Sequence, residues 1–282
     1  MAEPSFFNKL KSAKIGDIIV EDLPRGRYLF LRISKMRFEF GFLLMNLYKQ
    51  ALGEFYFGFN GDKNKEPNED ESENKIWYHI KNRVLYDRGL FDEAMEVPEM
   101  LKFHFKHITS LDLAQDYTKN IVYIIDRMIR NTNLTMIMNG RVVEDSNRVI
   151  HPLNDTYSRT RVRKVNPTIN IKQAKAEKNK HNGLTLCAYN KIAEIEANKG
   201  EKQYILDYYG NPPYLHRLEV HQNTSEIKKF CKNKKKYQDI YLLYNQEFLT
   251  EMFYHHLNSI LRFRKGRKIL AWKDIIACNG RY

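Results

Sequence analysis

The chain is short of cysteine, of acidic residues and of long apolar runs, and each shortage closes off a class of protein. Its cysteines, Cys187, Cys231 and Cys278, are far apart, odd in number and without a C-x-x-C pair. They cannot frame a disulfide scaffold or a four-thiolate zinc site, and they suit a reducing cytoplasm. No stretch reaches the roughly 18 consecutive apolar residues of a membrane span. The opening MAEPSFFNKLKSAK has no apolar segment of the secretory kind. No membrane partner is therefore expected, and the expected location is cytoplasmic. A Gly-Lys-Ser/Thr phosphate loop is also missing, which argues against ATP-driven work.

Acids are outnumbered, with 34 Asp and Glu against 47 Lys and Arg, a net charge of +13. The excess is clustered. Residues 158–180 hold eight Lys/Arg against one Glu, and residues 222–282 hold thirteen against five acids. The rest of the chain is close to neutral. Positive clusters on a neutral body are the electrostatic footprint of a polyanion, nucleic acid above all. Aromatics are plentiful, with 18 Tyr and 16 Phe. They fill cores first, and can also stack on unpaired bases.

Patterning predicts an α+β fold: an antiparallel-rich sheet core flanked by helices, with a basic helical C-terminal element. RYLFLRISKMRFEFGFLL (27–44) reads as one or two strands, and GEFYFGFN (53–60) and KIWYHIKNRVLY (75–86) as further strands. The polar, acidic segment between these last two reads as a mobile loop at a hairpin tip. Residues 101–117 read as strand. In TKNIVYIIDRMIRNT, Ile121, Ile124, Ile125, Met128 and Ile129 share one helical face. Asn139-Gly140 reads as a hairpin turn, LTLCAYN as a strand, KIAEIEANKG as a short helix stopped by Gly200, and YLHRLEVHQ as a strand. Asn245 is the expected N-cap of a helix carrying Phe248, Met252, Phe253, Leu257, Ile260 and Leu261. Three segments follow: a β-rich DNA-binding half (1–100), a half carrying acids and a basic hairpin (101–224), and a basic helical element (225–282).

Asp112 and Asp116 in SLDLAQDY are four apart, so they share one face of an extended segment, opposite Leu111 and Leu113. Glu219 in HRLEVHQ is another acid on an apolar strand, beside Arg217. Acids from two strands suit a hard divalent cation, Mg2+ or Mn2+. The competing reading is surface acids or acid–arginine pairs. No histidines stand at i and i+2, so the His-apolar-His metal site of many nickases is not supported.

In order and spacing, HITSLDLAQDY, GLTLCAYNKIAEIE and LHRLEV resemble the trans-acting rolling-circle replication initiators of small plasmids and single-stranded DNA phages. The resemblance covers roughly residues 105–230. It implies origin DNA as partner, both duplex and single-stranded, with a host helicase and polymerase, and a homodimer. It also implies a tyrosine that attacks a phosphodiester and holds the 5′ phosphate while a free 3′-OH primes synthesis. On this resemblance Asp112, Asp116 and Glu219 are the metal acids, and Tyr189 and Lys191 belong to the site. Lys172 and Lys175 follow the nucleophile. Arg161, Arg163, Lys164, Lys234, Lys235, Lys236, Arg264, Lys265 and Arg267 are the further cations expected on DNA. The nucleophile position itself reads Asn170, in Thr168-Ile169-Asn170-Ile171. An amide cannot form a phosphotyrosyl bond. Three readings stand: a substitution that arrests the chemistry; a natural variant using Tyr157, Tyr189, Tyr208, Tyr209 or Tyr214; or a register displaced along a basic hairpin. The other function carried forward is a non-cleaving origin-binding initiator or regulator on the same fold.

Overall fold

A computed structural model describes residues 4–59, 75–144, 168–172, 183–234 and 239–282. The loop expected at 61–74 lies outside them. The fold is α+β, and the chain divides into two units, Met1–His104 and Phe105–Tyr282.

The first unit is a five-stranded antiparallel sheet of β1 (Ile18–Leu23), β2 (Gly26–Ile33), β3 (Phe38–Asn46), β4 (Ala51–Phe59) and β5 (Trp77–Ile80), paired in chain order. The segment read as one or two strands at 27–44 is the β2–β3 hairpin. Alternation sends Tyr28, Phe30, Phe42, Phe55 and Phe57 to one buried face. Helix α1 (Pro4–Ser12) brings Phe6 edge-on to Phe30, with centroids 5.1 Å apart. Helix α2 (Arg88–Met100) is capped by Asp87, whose carboxylate accepts from the Leu90 amide. Gly53 has no side chain because the Tyr78 ring occupies that space, and the Tyr78 hydroxyl donates to the Ala94 carbonyl on α2 at 2.9 Å. Residues 82–86, read as strand, form a 3-10 turn instead.

The second unit holds two four-stranded antiparallel sheets. One has the order β6-β11-β10-β9, from β6 (Ser110–Tyr117), β9 (Ile169–Lys172), β10 (Leu184–Asn190) and β11 (His216–Asn223). The other has the order β13-β12-β7-β8, from β7 (Thr135–Met138), β8 (Arg141–Val143), β12 (Leu261–Lys265) and β13 (Lys268–Ile269). The strand read at 101–117 begins only at Ser110, and Lys102, at φ 60°, is not in an extended conformation. Asn139 (φ 49°) and Gly140 (φ 78°) both take the left-handed conformation that a two-residue hairpin turn needs.

Among the described residues the helices of this unit are α3 (Ile121–Arg130), α4 (Lys191–Ala197), α5 (Gln203–Tyr208), α6 (Thr224–Asn233), α7 (Gln246–Ile260) and α8 (Trp272–Ala277). Asparagine side chains cap four of them: Asn120, Asn190, Asn223 and Asn245 accept from amides in the first turns of α3, α4, α6 and α7. Ile121, Ile124, Ile125 and Met128 of α3 are fully buried. They join Leu186, Leu218 and Val220 of one sheet and Met136, Leu261 and Phe263 of the other in a single core. Residues 225–282 are not an independent helical element. α7 packs into that core, and β12 pairs with β7. Among the described residues no helix is long and apolar enough to cross a membrane.

Candidate functional site

The β6-β11-β10-β9 sheet has one apolar face and one polar face, set by strict alternation. Leu113, Leu218, Val220, Leu186, Ala188, Ile169 and Ile171 point into the core. The residues between them point the other way, and the register orders them into rows. The first row runs Asp112, His221, Thr185. The second runs Ala114, Glu219, Cys187, Asn170. The third runs Asp116, Arg217, Tyr189.

The structure thus brings Asp112, Asp116, Glu219, Tyr189 and Asn170 to one face of one sheet. Asp112 and Glu219 are diagonal neighbours on adjacent strands, roughly 7–8 Å apart at Cα. Asn170 lies on the edge strand, two strands from Glu219 and therefore about 10 Å away at Cα. Its Oδ1 is buried and has no hydrogen-bond partner.

The partners of the acids differ. Asp116 is held by a bidentate pair with Arg217, from Nε to Oδ1 at 2.7 Å and from Nη2 to Oδ2 at 2.6 Å. Both side chains are buried, at 4% and 6% exposure. The fork engages both carboxylate oxygens, so Asp116 is an acid–arginine pair in this arrangement. Asp112 is exposed and contacts His221 Nδ1. That hydrogen bond, with the nearby carboxylate charge, holds the His221 imidazole above its ordinary value. Glu219 accepts a hydrogen bond from the Tyr189 hydroxyl at 3.1 Å. Burial first, and then the Glu219 charge, push the Tyr189 phenol far up, so it is protonated and donating. Among the described residues no three His, Cys, Asp or Glu side chains converge as in a preformed metal cage.

Lys191 opens α4, immediately after β10, and is buried. Its ammonium bonds Glu194 Oε2 at 2.6 Å and lies 5.5 Å from the centre of the Tyr189 ring. Lys202 bonds the other oxygen of Glu194 at 2.7 Å. Burial, followed by the repulsion of Arg217, lowers the Lys191 ammonium despite its carboxylate partner. Lys191 therefore buttresses Tyr189 from below.

Of the expected DNA-contacting cations, Arg161, Arg163, Lys164, Lys175, Lys235 and Lys236 lie outside the described residues, as does the side chain of Lys172. Lys234 ends α6 and pairs with Glu251 of α7. Arg264 and Lys265 are on β12, and Arg267 is in the turn to β13. Of the other tyrosine candidates, Tyr208, Tyr209 and Tyr214 are exposed and Tyr157 lies outside the described residues.

Sequence reasoning missed His221, Arg217 and Cys187 as members of the face. The signal was present: from Glu219, a period of two reaches Arg217 and His221, and from Tyr189 it reaches Cys187. In comparisons with known proteins, no family model matches the chain and no curated protein sequence matches it.

Proposed function

We propose that this protein binds DNA at a replication origin and nicks and rejoins one strand, in the manner of rolling-circle initiators, with Tyr189 as the attacking residue. The observation that carries the reading is the Tyr189–Glu219 hydrogen bond on a polar sheet face that also holds Asp112, His221 and Asn170. A nucleophile within hydrogen-bond reach of a carboxylate base is the minimum unit of covalent phosphoryl transfer. Glu219 accepts the phenolic proton as Tyr189 Oη attacks the phosphorus. The P–O3′ bond breaks, the 5′ phosphate stays on tyrosine, and the proton passes from Glu219 to the leaving 3′ oxygen. Rejoining is the reverse.

A divalent ion is part of this proposal, and the residues present fit two carboxylates rather than three. Asp116 is committed to Arg217, which leaves Asp112 and Glu219 as acids, with His221 between them. These three side chains form no preformed cage, so Asp112 and Glu219 would have to draw together on an ion; two carboxylates with an imidazole would then suit Mn2+ at least as well as Mg2+. The ion would supply neutralisation of charge at the phosphate. The other partners implied by the resemblance, a host helicase, a polymerase and a second copy of the chain, belong to the same proposal, as does a cytoplasmic location.

Asn170 favours a second reading, that of a non-cleaving origin-binding protein. On the resemblance it falls at the nucleophile position of the initiators, and its amide oxygen is buried without a partner. One experiment separates the two. The protein is incubated with origin-bearing single-stranded DNA and Mn2+, denatured, and inspected for a covalent adduct. A DNA-linked peptide containing Tyr189 supports cleavage; binding without an adduct supports the second reading.

A further inference from the structure

The β13-β12-β7-β8 sheet carries charge of one sign. Its strands contain no acidic residue but hold Arg141, Arg262, Arg264, Lys265 and Lys268, with Arg267 in the β12–β13 turn. Alternation along β12 buries Leu261 and Phe263 in the core and turns Arg262 and Arg264 outward, where they are partly exposed. Arg262 sits opposite Ile137, and Arg264 lies between Thr135 and Ile269. Val142, opposite Ile137, is 61% exposed, and Ile269 is 49% exposed. The outward face is therefore two arginines framed by aliphatic side chains, ending in a tip of exposed Lys265, Arg267 and Lys268.

Several cations elsewhere have carboxylate partners: Arg217 with Asp116, Arg130 with Asp126, Lys81 with Glu54, Lys234 with Glu251. Among the described residues the six cations of this sheet have no ion pair. The Nε atoms of Arg262 and Arg264 are buried with no acceptor. The partly exposed ends of these guanidinium groups face no carboxylate, and a polyanion landing on this face would supply acceptors for them.

We propose that this outward face, with the β12–β13 ribbon at its tip, docks the backbone of B-form duplex DNA. It is a surface separate from the polar face bearing Tyr189, and it rests on its own charge rather than on the cleavage reading. Planar guanidinium forks match phosphate oxygens. A two-stranded ribbon fits the B-form major groove, about 12 Å wide, whereas the deep, narrow major groove of A-form RNA excludes it. Gly266, with φ 58°, lets the ribbon turn tightly enough to project its three tip cations together. Val142 and Ile269 offer apolar contact beside the arginines, of the kind that thymine methyls accept.

The test is equilibrium binding of the full chain to a labelled DNA duplex of about 20 base pairs, from about 50 to 200 mM salt. A tip variant (Lys265→Gln, Arg267→Gln, Lys268→Gln) should flatten the slope of log K against log salt by about 2.7, at roughly 0.9 per phosphate released. A face variant (Arg262→Gln, Arg264→Gln) should flatten it by about 1.8. Because the tip residues are exposed, the tip variant should melt with the wild type. An unchanged slope in the folded tip variant overturns the proposal, and so does tighter binding of an RNA duplex of the same sequence. If the wild type forms no adduct but the slopes flatten, the docking surface stands and the cleavage reading fails.

Discussion

The sharpest perturbation is Asp116→Ala. Asp116 and Arg217 lie opposite each other on β6 and β11, both nearly fully buried, joined by bonds of 2.7 and 2.6 Å. Removing the carboxylate leaves a guanidinium in a desolvated place with its main counter-charge gone. Breaking a buried pair from one side costs about 3–5 kcal/mol. For a unit the size of Phe105–Tyr282, each kcal/mol moves the melting temperature by about 2–4 °C, so Tm should fall by roughly 6–20 °C. Buried Trp272 reports this unit, and a Trp77→Phe background removes the only other indole.

The same experiment separates the two roles that residue types alone left open for Asp116. If it braces Arg217, Mn2+ should stabilise wild type and variant equally, because the remaining acids are untouched. A ligand at a hundredfold excess over its Kd raises stability by about 2.7 kcal/mol, well within reach of a melting curve. The double change Asp116→Leu/Arg217→Met should recover most of the lost stability, since a packed apolar pair replaces a buried ionic one. A variant that melts with the wild type yet loses its response to Mn2+ would refute this reasoning and return Asp116 to the metal.

Much of the fold was legible because local chemistry and tertiary position agree. Asn120 and Asn245 precede apolar periodic runs, and both cap the helices that follow. Asn139-Gly140 is a turn because both positions need positive φ. The failures have local causes too. LKFHFKHI alternates like a strand but pairs with no strand among the described residues and contains Lys102 at φ 60°. In RFRKGRK the density of charge hid a hairpin that Gly266 marks.

For the site, alternation was legible and register was not. A period of two places Asp112 with Asp116, and Glu219 with Arg217 and His221, each on its own strand. Nothing in the sequence says that β6 pairs with β11 across about a hundred residues so that Arg217 falls opposite Asp116 and His221 opposite Asp112. That pairing turns three acids into one arginine-bound carboxylate, one histidine-bound carboxylate and one tyrosine acceptor. It also keeps residue 170 on the acidic face, since Asn170 and Glu219 flank Cys187 in one row.

The remaining predictions bear on the same unit. Tyr189→Phe should abolish any covalent adduct, leave duplex binding intact and cost no more than about 1.5 kcal/mol of stability, the worth of one hydrogen bond; an adduct that survives removes Tyr189 from the chemistry. Asp112→Asn should bring the His221 titration, followed by NMR, down toward 6.5, because the hydrogen-bonded carboxylate is what raises it; an unmoved midpoint would show that the pair does not exist in solution. His256 is buried, and burial, then His255, lowers it from 6.5 to about 4. The unfolded chain therefore binds the extra proton first, and stability is lost as pH falls from 6.5 toward 4, by up to about 3 kcal/mol. His256→Leu should flatten that limb of the urea-midpoint profile; a variant with the same acid limb as the wild type would assign it to other groups. The last prediction is Asn170→Tyr. Asn170 is on an edge strand with its amide oxygen buried and unpartnered, so the substitution breaks no hydrogen bond at that atom. Its Cα stands about 10 Å from that of Glu219, a span that two long side chains extended toward each other can close. If the resemblance is in register, a phenol at 170 should create or raise Mn2+-dependent cleavage and move the DNA-linked peptide to residue 170, with duplex affinity little changed because phosphate contacts are expected from the neighbouring lysines, which the substitution leaves in place. An adduct that remains on Tyr189 would make 170 a bystander. No adduct at either tyrosine would leave a DNA-binding protein whose acidic face performs no strand transfer.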